Sequence, residues 1–315
     1  MKKILLSLVV ILGVSAVVAG ATRAYFSDTE TSTGNTFAAG TIDIKVDNQN
    51  PWSSTAQYAF SNLEPSDSND INVTLSNAGT NDVVIWKKVK VTAEEDNLQS
   101  EPECAAESGV WSGTACTTRS TPKDDLSTQF VYSMNIGVNT NINKTWGVKV
   151  SDINDLWIPV GKLAVGASVP VAQNYYFDEK AGNEYQGDKM TVDITFYAEQ
   201  LGAPGPANTT RGVVLENKDT TTWTPIVGDG TWGILTWDAA GKYTVKAWGL
   251  AGASYQLDNF VEPSTDNFFG STLSGPVVSD TGTRATLNSD TKAKYWLRDL
   301  SWSNANTLWE ANLVR

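Results

Sequence analysis

Apolar and polar residues alternate along much of the chain after Gly40, which is the period of a β-strand that buries one face. Two long examples are the runs "FVYSMNIGV" and "KMTVDITFYA". Their inward positions would be Phe130, Tyr132, Met134, Ile136 and Val138 in the first, and Met190, Val192, Ile194, Phe196 and Ala198 in the second. No segment after Gly40 repeats its apolar residues at a helical period, so the pattern predicts an all-β protein with half-buried antiparallel strands.

Three further strands are predicted at the start of this region. Alternation predicts one strand from Thr41 to Val46 and another over the run "INVTL" from Ile71 to Leu75. The turn residues Asn77-Ala78-Gly79 then precede the apolar run "VVIWKKVKV", which predicts a hairpin between the second and third strands. Lys87 interrupts that run, so we expect the strand to bend there or the lysine ammonium to reach past the sheet edge.

Breaks in the alternation divide the chain. The pattern predicts one β-sandwich over residues 41–201, interrupted by a long polar insertion near 93–128. A short linker rich in proline and glycine follows at 202–210. Residues 211–315 carry their own strand-like segments, among them "RGVVLEN", "TTWTPI" and "GTWGILTWD", and predict a second, smaller β-sandwich.

Tryptophan is concentrated in the second predicted sandwich, which holds Trp223, Trp232, Trp237, Trp248, Trp296, Trp302 and Trp309. Tryptophan rings can bind sugars or peptides by stacking, and they can equally fill the core of a small sandwich. Both roles stay open from the sequence. The candidate ligand contacts are Trp223, Trp232 and Trp248, together with Trp111 in the polar insertion, which could instead pack against a disulfide.

The chain opens with Lys2 and Lys3 and continues with an uncharged run from Ile4 to Ala21, the layout of an export signal. Small residues allow cleavage after Ala21 or after Ala24. An exported chain meets a non-reducing environment, so a disulfide between Cys104 and Cys116 is favoured over two free thiols.

Charge and composition exclude several functions. The formal net charge of -12 disfavours nucleic acid as a partner because phosphates would be repelled. The chain has no histidine, which excludes a Ser-His-Asp triad and the HExxH zinc motif. We therefore predict no cofactor, no metal site and no catalytic residue.

Three stretches in order, "AYFSDTETSTGNTFAAGTIDI", "FSNLEPSDSNDINVTLSNAGTNDVVIWKKVKV" and "YQGDKMTVDITFYAEQ", resemble the TasA, CalY and camelysin family of exported surface proteins. The resemblance spans most of the first predicted sandwich and covers neither the insertion nor the residues beyond Gln200. It implies a dedicated signal peptidase that cuts between Ala24 and Tyr25, so that residues 1–24 are the signal peptide. It also implies a jelly-roll-like sandwich and assembly into fibres of the extracellular matrix.

In such fibres the mature N-terminal segment completes the sheet of a neighbouring subunit. The resemblance therefore implies that residues 25–40 are a donor strand, with Tyr25, Phe26 and Phe37 as candidate side chains for the neighbour's groove. The polar stretch from Ser27 to Asn35 would suit a flexible leader as well.

The resemblance and the residue pattern together predict a secreted structural protein of the biofilm matrix or cell surface, whose main partner is itself in a head-to-tail homopolymer. Two alternatives remain. The tryptophan-rich part could make the protein an adhesin that binds cell-surface glycans or other matrix components. The camelysin branch is labelled a metallopeptidase, although metallopeptidase zinc sites almost always include the histidine that this chain lacks.

Overall fold

The computed structural model describes residues 40–52, 63–96, 100–120, 125–201, 206, 211–226, 228–238, 240–252, 254–261, 265–268, 273–283, 294–301 and 306–310. The expected signal peptide 1–24, the cleavage site Ala24/Tyr25 and the donor candidates Tyr25, Phe26 and Phe37 lie outside the described residues, as does nearly all of the expected linker. Within the described ranges, no helix is long and apolar enough to cross a membrane.

The described chain is all-β and sandwich-like, as the alternation predicts. Its strands are β1 Ile44–Val46, β2 Ser68–Asn77, β3 Val83–Glu95, β4 Val110–Ser112, β5 Ala115–Thr117, β6 Phe130–Ile136, β7 Asn139–Ile142, β8 Leu156–Leu163, β9 Ser168–Phe177, β10 Lys189–Gln200, β11 Arg211–Glu216, β12 Trp232–Trp237, β13 Lys242–Trp248, β14 Tyr255–Val261, β15 Thr265–Phe268, β16 Val278–Thr283, β17 Lys294–Asp299 and β18 Leu308–Glu310. Two short helices are α1 Glu101–Ala106 and α2 Val150–Ile153.

The strands before Leu201 form two main antiparallel sheets around one core. One sheet has the order β1-β2-β9-β6-β7 and the other has the order β10-β3-β8. Their inward side chains form a single cluster, which includes fully buried Leu75, Ile85, Tyr132 and Val171. The alternating apolar residues therefore form a core between two sheets, as the sequence predicts.

Strands after Arg211 form one antiparallel sheet of eight strands, in the order β15-β14-β17-β18-β11-β12-β13-β16. One face of this sheet encloses a second core, in which Leu215, Val245, Leu257 and Leu297 are fully buried. The sheet therefore curls so that β14 and β17 can pack against β12 and β13 through that face.

Several local predictions are corrected. The turn at Asn77-Ala78-Gly79 does not make a hairpin, because β2 and β3 belong to different sheets. Asn77 is buried at this corner, where its amide donates to the carbonyl oxygens of Asn81 at 2.9 Å and Leu163 at 3.0 Å. The side chain thus anchors a crossing from one sheet to the other, which strand alternation cannot distinguish from a hairpin.

Strand ends also differ from the pattern. The first strand begins at Ile44 rather than Thr41, because the turn at Gly79 and Thr80 takes up the backbone of the preceding residues. β6 ends at Ile136, since Gly137 turns with a φ of 61° and leaves Val138 wholly exposed. The segment "TTWTPI" contains a turn instead of a strand, because the Asp219 side chain fixes its backbone as described below.

Lys87 does not reach solvent, and the pairing of β3 with β8 shifts register just before it, between Ile85 and Trp86. Its side chain is fully buried, and its Nζ donates to the hydroxyl of Tyr132 at 2.7 Å. The Tyr132 hydroxyl in turn donates to Oε1 of buried Gln173 at 3.2 Å. A small polar network therefore replaces apolar contact at the centre of the first core.

Candidate functional site

The strand β10 is the longest edge of the first sandwich. It has 12 residues, and within the described part of the chain it pairs with β3 alone. Its second side therefore presents a row of backbone N–H and C=O groups that no described strand satisfies. An edge of this length is a template for pairing with another segment.

The inner face of β10 is incompletely covered. Met190, Val192, Ile194, Phe196 and Ala198 pack against the first core, yet each keeps part of its surface exposed. By contrast, the inward residues Val83, Ile85 and Val89 of neighbouring β3 are buried completely. The sandwich is therefore open along β10, where three strands face five.

One further partly buried apolar residue lines this open side. Trp52, which follows β1, lies against Phe196 with ring centroids 5.8 Å apart. Trp52 and the β10 row define what we call the β10 groove: Trp52, Met190, Val192, Ile194, Phe196 and Ala198.

The sequence predicted the inward row of β10 correctly but gave no sign that this strand would be an edge. Alternation records which face of a strand is buried, and it carries no information on how many neighbours the strand has. The groove was therefore missed, although every residue lining β10 was named from the pattern.

The polar insertion is a small ordered subdomain. Ser100 caps α1 by accepting from the backbone N–H of Glu103 at 3.2 Å, and β4 and β5 form a hairpin. The predicted disulfide is present, with Cα atoms of Cys104 and Cys116 5.6 Å apart. Trp111 lies opposite Cys116 in the hairpin and is partly exposed, so both roles considered for it stay open.

One group of carboxylates in the described ranges is close enough to hold a metal ion. Ligand atoms of Asp96, Glu103 and Asp188 lie within 4.8 Å of one another. Arg119 already supplies a cation there, with Nη1 2.6 Å from Asp96 and 2.7 Å from Glu107. The hydrogen bond to Asp96 is the main factor that raises the pKa of Arg119, which keeps the guanidinium charged.

This donor set does not fit a catalytic zinc ion. It contains oxygen atoms only, whereas the zinc sites of metalloproteases combine histidine nitrogens with an open coordination position. Asp96 of this set instead pairs with Arg119, which also pairs with Glu107 and so ties the insertion to the end of β3. No step of peptide hydrolysis follows from this geometry.

The four tryptophans considered as ligand contacts fall into two groups. Trp232 and Trp248 are buried, with exposed fractions of 9% and 1%, and their rings, tilted by 32° with centroids 4.7 Å apart, pack into the first core. They offer no face to a ligand, so the expectation for them is corrected to a packing role. Trp223 is 48% exposed.

The comparisons with known proteins bear on the N-terminal part. The family model described as camelysin metallo-endopeptidase matches residues 1–110. A search of the curated proteins gave no match. The matched range contains β1, β2 and β3 together with the turn that joins the two sheets, which carried two of the three stretches of the resemblance; the third stretch, at β10, lies outside it. Over residues 1–110 the chain is therefore similar to the camelysin family.

Proposed function

We propose that this protein is an exported structural subunit that polymerises into fibres of the extracellular matrix. In each contact the mature N-terminal segment of one subunit, with Phe26 and Phe37 as its apolar anchors, adds a strand to the β10 groove of the next. The observation that carries the proposal is the free edge of β10 with its partly exposed inner row.

Two contributions would favour such a contact. The added strand satisfies backbone groups along β10 that otherwise face water, and it covers the apolar side chains of the groove. The contact joins two different surfaces of the same chain. Such a heterologous contact repeats without closing and so builds a filament.

The dimensions agree with this arrangement. An extended chain advances about 3.3 Å per residue, so the stretch from Tyr25 to Ala39 would reach roughly 50 Å. The 12 residues of β10 span roughly 40 Å at the same rise. The segment could therefore pair with most of a neighbour's edge and still leave a short connection to β1.

Export is part of the proposal. The charged start and the apolar run after it favour secretion. The resemblance to the TasA, CalY and camelysin family implies cleavage between Ala24 and Tyr25 by a dedicated signal peptidase. Cleavage would free the donor segment, so processing would also control assembly.

The first test removes the donor. Mature protein from Tyr25 onward should form fibres visible by electron microscopy, whereas protein lacking residues 25–35 should remain monomeric by size-exclusion chromatography. Fibres that persist after the deletion would contradict the donor role.

A second test changes the groove with a matched control. Ile194→Lys places a charge on the half-buried inner row, whereas Thr195→Lys places the same charge on the exposed outer face of the same strand. We expect Ile194→Lys to abolish fibres and Thr195→Lys to retain them. Thermal unfolding followed by circular dichroism would check that both variants fold. Equal assembly by the two variants would contradict a groove at β10.

The matched family is named for a metallo-endopeptidase, which raises the question of peptidase activity in this chain. We propose that this chain is not a peptidase, supported by its lack of histidine and by the arginine within its carboxylate cluster. Casein degradation by the purified protein, abolished by a chelator and by Glu103→Gln, would overturn this part of the proposal.

A further inference from the structure

A turn on the second sheet presents one tryptophan to solvent in a rigid way. Trp223 is the most exposed tryptophan in the described ranges, at 48%, and its backbone has a φ of 56°. Left-handed backbone is rare and costly for a bulky residue, and such strain concentrates where a side chain has a function.

The carboxylate of Asp219 holds the turn in place. Its Oδ1 accepts from the backbone N–H of Thr221 at 2.9 Å and of Thr222 at 2.7 Å. The Trp223 N–H donates to the Asp219 carbonyl oxygen at 2.8 Å. The hydrogen bonds that Thr222 and Thr221 donate to the Asp219 carboxylate favour its charged form and so lower its pKa. The strained position of Trp223 is therefore fixed before any ligand arrives.

Behind Trp223 stands a support of further aromatic rings. Its ring meets Trp309 edge to face at 5.1 Å, and Trp309 meets Trp296 in the same way at 4.9 Å. The Trp296 indole donates to buried Asp258 at 3.1 Å, and Arg298 donates to the same oxygen at 2.7 Å. Residues of neighbouring strands thus hold Trp309 and Trp296 in place behind Trp223. The outer face of the Trp223 ring remains exposed.

We propose that Trp223 is the platform of a binding site for a neutral glycan. The apolar C–H face of a pyranose ring would stack on the exposed indole, as aromatic rings accept flat apolar surfaces. The same turn carries exposed Thr220 and Thr221, whose hydroxyls suit hydrogen bonds to sugar hydroxyl groups, whereas the hydroxyls of Thr222 and Thr224 pair with each other at 2.7 Å. The net charge of -12 disfavours an anionic polymer.

The size of the apolar surface favours a sugar over a protein partner. Ile226 is the other large apolar residue of this turn that is strongly exposed, at 42%. A stable protein interface buries about 1,000 Å² or more, with several apolar anchors. The apolar surface of one indole ring and one isoleucine side chain matches the size of one or two sugar rings.

The test uses the mature full chain and three probes: cellohexaose, laminarihexaose and chitohexaose. Isothermal titration calorimetry should detect binding of at least one of them. Trp223→Ala should weaken that binding by roughly tenfold or more. Tyr197→Ala, which removes an exposed aromatic ring from the outer face of β10, should bind as the unmodified protein does.

A second variant guards against loss of the turn. Trp223→Asn removes the ring and keeps a residue that tolerates left-handed backbone, so it should fold and should also lose binding. The proposal is overturned if none of the three oligosaccharides binds, or if Trp223→Asn binds as tightly as the unmodified protein. Self-association that Trp223→Asn abolishes would identify a second copy as the occupant and would also overturn it.

None of these residues lies in the β10 groove, so the glycan site and the proposed fibre contact can fail separately. Fibre formation by a Trp223→Asn variant that has lost glycan binding would show the two functions to be independent.

Discussion

The most unusual single residue in the first core is Lys87. It is fully buried, and among the described residues it has no ion-pair partner. Burial lowers its pKa well below the ordinary value and raises the pKa of its partner Tyr132. Tyr175, which donates to Gln173 at 3.4 Å, also has its pKa raised by burial. Burial thus disfavours the charged forms of all three side chains.

A buried lysine with a lowered pKa makes stability depend on pH. In the unfolded chain Lys87 keeps its proton up to about pH 10.4, whereas the folded chain releases it at a lower pH. Between these two values the unfolded state binds more protons, so the free energy of unfolding should rise with pH. Tyr132 and Tyr175 act in the opposite direction only above about pH 10, because the folded state raises their pKa.

We expect Lys87→Met to remove that dependence and to stabilise the protein at pH 7 by about 1 to 2 kcal/mol, since no charge-bearing group then needs to be desolvated. Urea unfolding at pH 7.0 and pH 9.5 would measure both effects. A free energy of unfolding that rises equally in the variant and in the unmodified protein would contradict this role for Lys87.

No residue pattern could reveal the position of Lys87. The sequence shows a lysine on the inward side of a strand, and the usual solution is an ammonium that reaches water. The actual solution needs Tyr132, which is distant in the chain and arrives only when the two sheets pack together.

At the scale of elements, the disulfide ties α1 to β5 within the insertion. Arg119 adds a second tie by binding Asp96 after β3 and Glu107 after α1. The insertion therefore has its own constraints, and the main core does not depend on them.

Replacing both cysteines by serine should loosen this element alone. In the chain-entropy model a loop of this size is stabilised by about 3 kcal/mol through its cross-link. Hydrogen exchange should accelerate over residues 100–120 and remain unchanged in β2 and β9. Equally accelerated exchange in both regions would show that the disulfide supports the whole sandwich.

The same scale shows where sequence patterns succeed and fail. Long alternating runs predicted β2, β6 and β10 well, because the two faces of each strand differ in polarity. The pairing of β2 was mispredicted, since a turn such as Asn77-Ala78-Gly79 fits both a hairpin and a corner between sheets. The groove at β10 was missed for a related reason: edges are set by the number of strands in a sheet.

At the scale of the molecule, residues on both sides of the predicted linker share one core. Trp232, Ile234 and Trp248 belong to the cluster formed by the first two sheets. The Trp232 indole donates to the carbonyl oxygen of Asn141 at 2.9 Å, and Lys246 donates to that of Asp152 at 2.9 Å. Described residues from Gly40 onward accordingly form one compact unit.

The predicted division into two sandwiches therefore describes how the strands are grouped along the chain. It does not imply that the two groups of strands are stabilised independently. Sequence composition indicated a break at 202–210, because proline and glycine end the alternation there. Composition could not indicate that one face of β12 and β13 would pack against the first sandwich. A tryptophan on that face looks the same in sequence as a tryptophan that binds a ligand.

This shared core predicts cooperative unfolding that depends on Trp248. Differential scanning calorimetry of the unmodified mature protein should give one transition, because neither sheet system can unfold without exposing Trp232 and Trp248. Trp248→Ala should cost about 3 to 5 kcal/mol and separate the transition into two, since the contact between the sheet systems is lost.

Trp237→Ala is the matched control, because Trp237 lies on β12 but faces the second core alone. It should lower the temperature of the transition without dividing it, since the shared surface at Trp232 and Trp248 stays intact. If Trp248→Ala also shifted a single transition without dividing it, the two sheet systems would be coupled through other contacts. Val84 and Trp86 against Val214 would then be the next to change, because they form a separate apolar cluster across the same boundary.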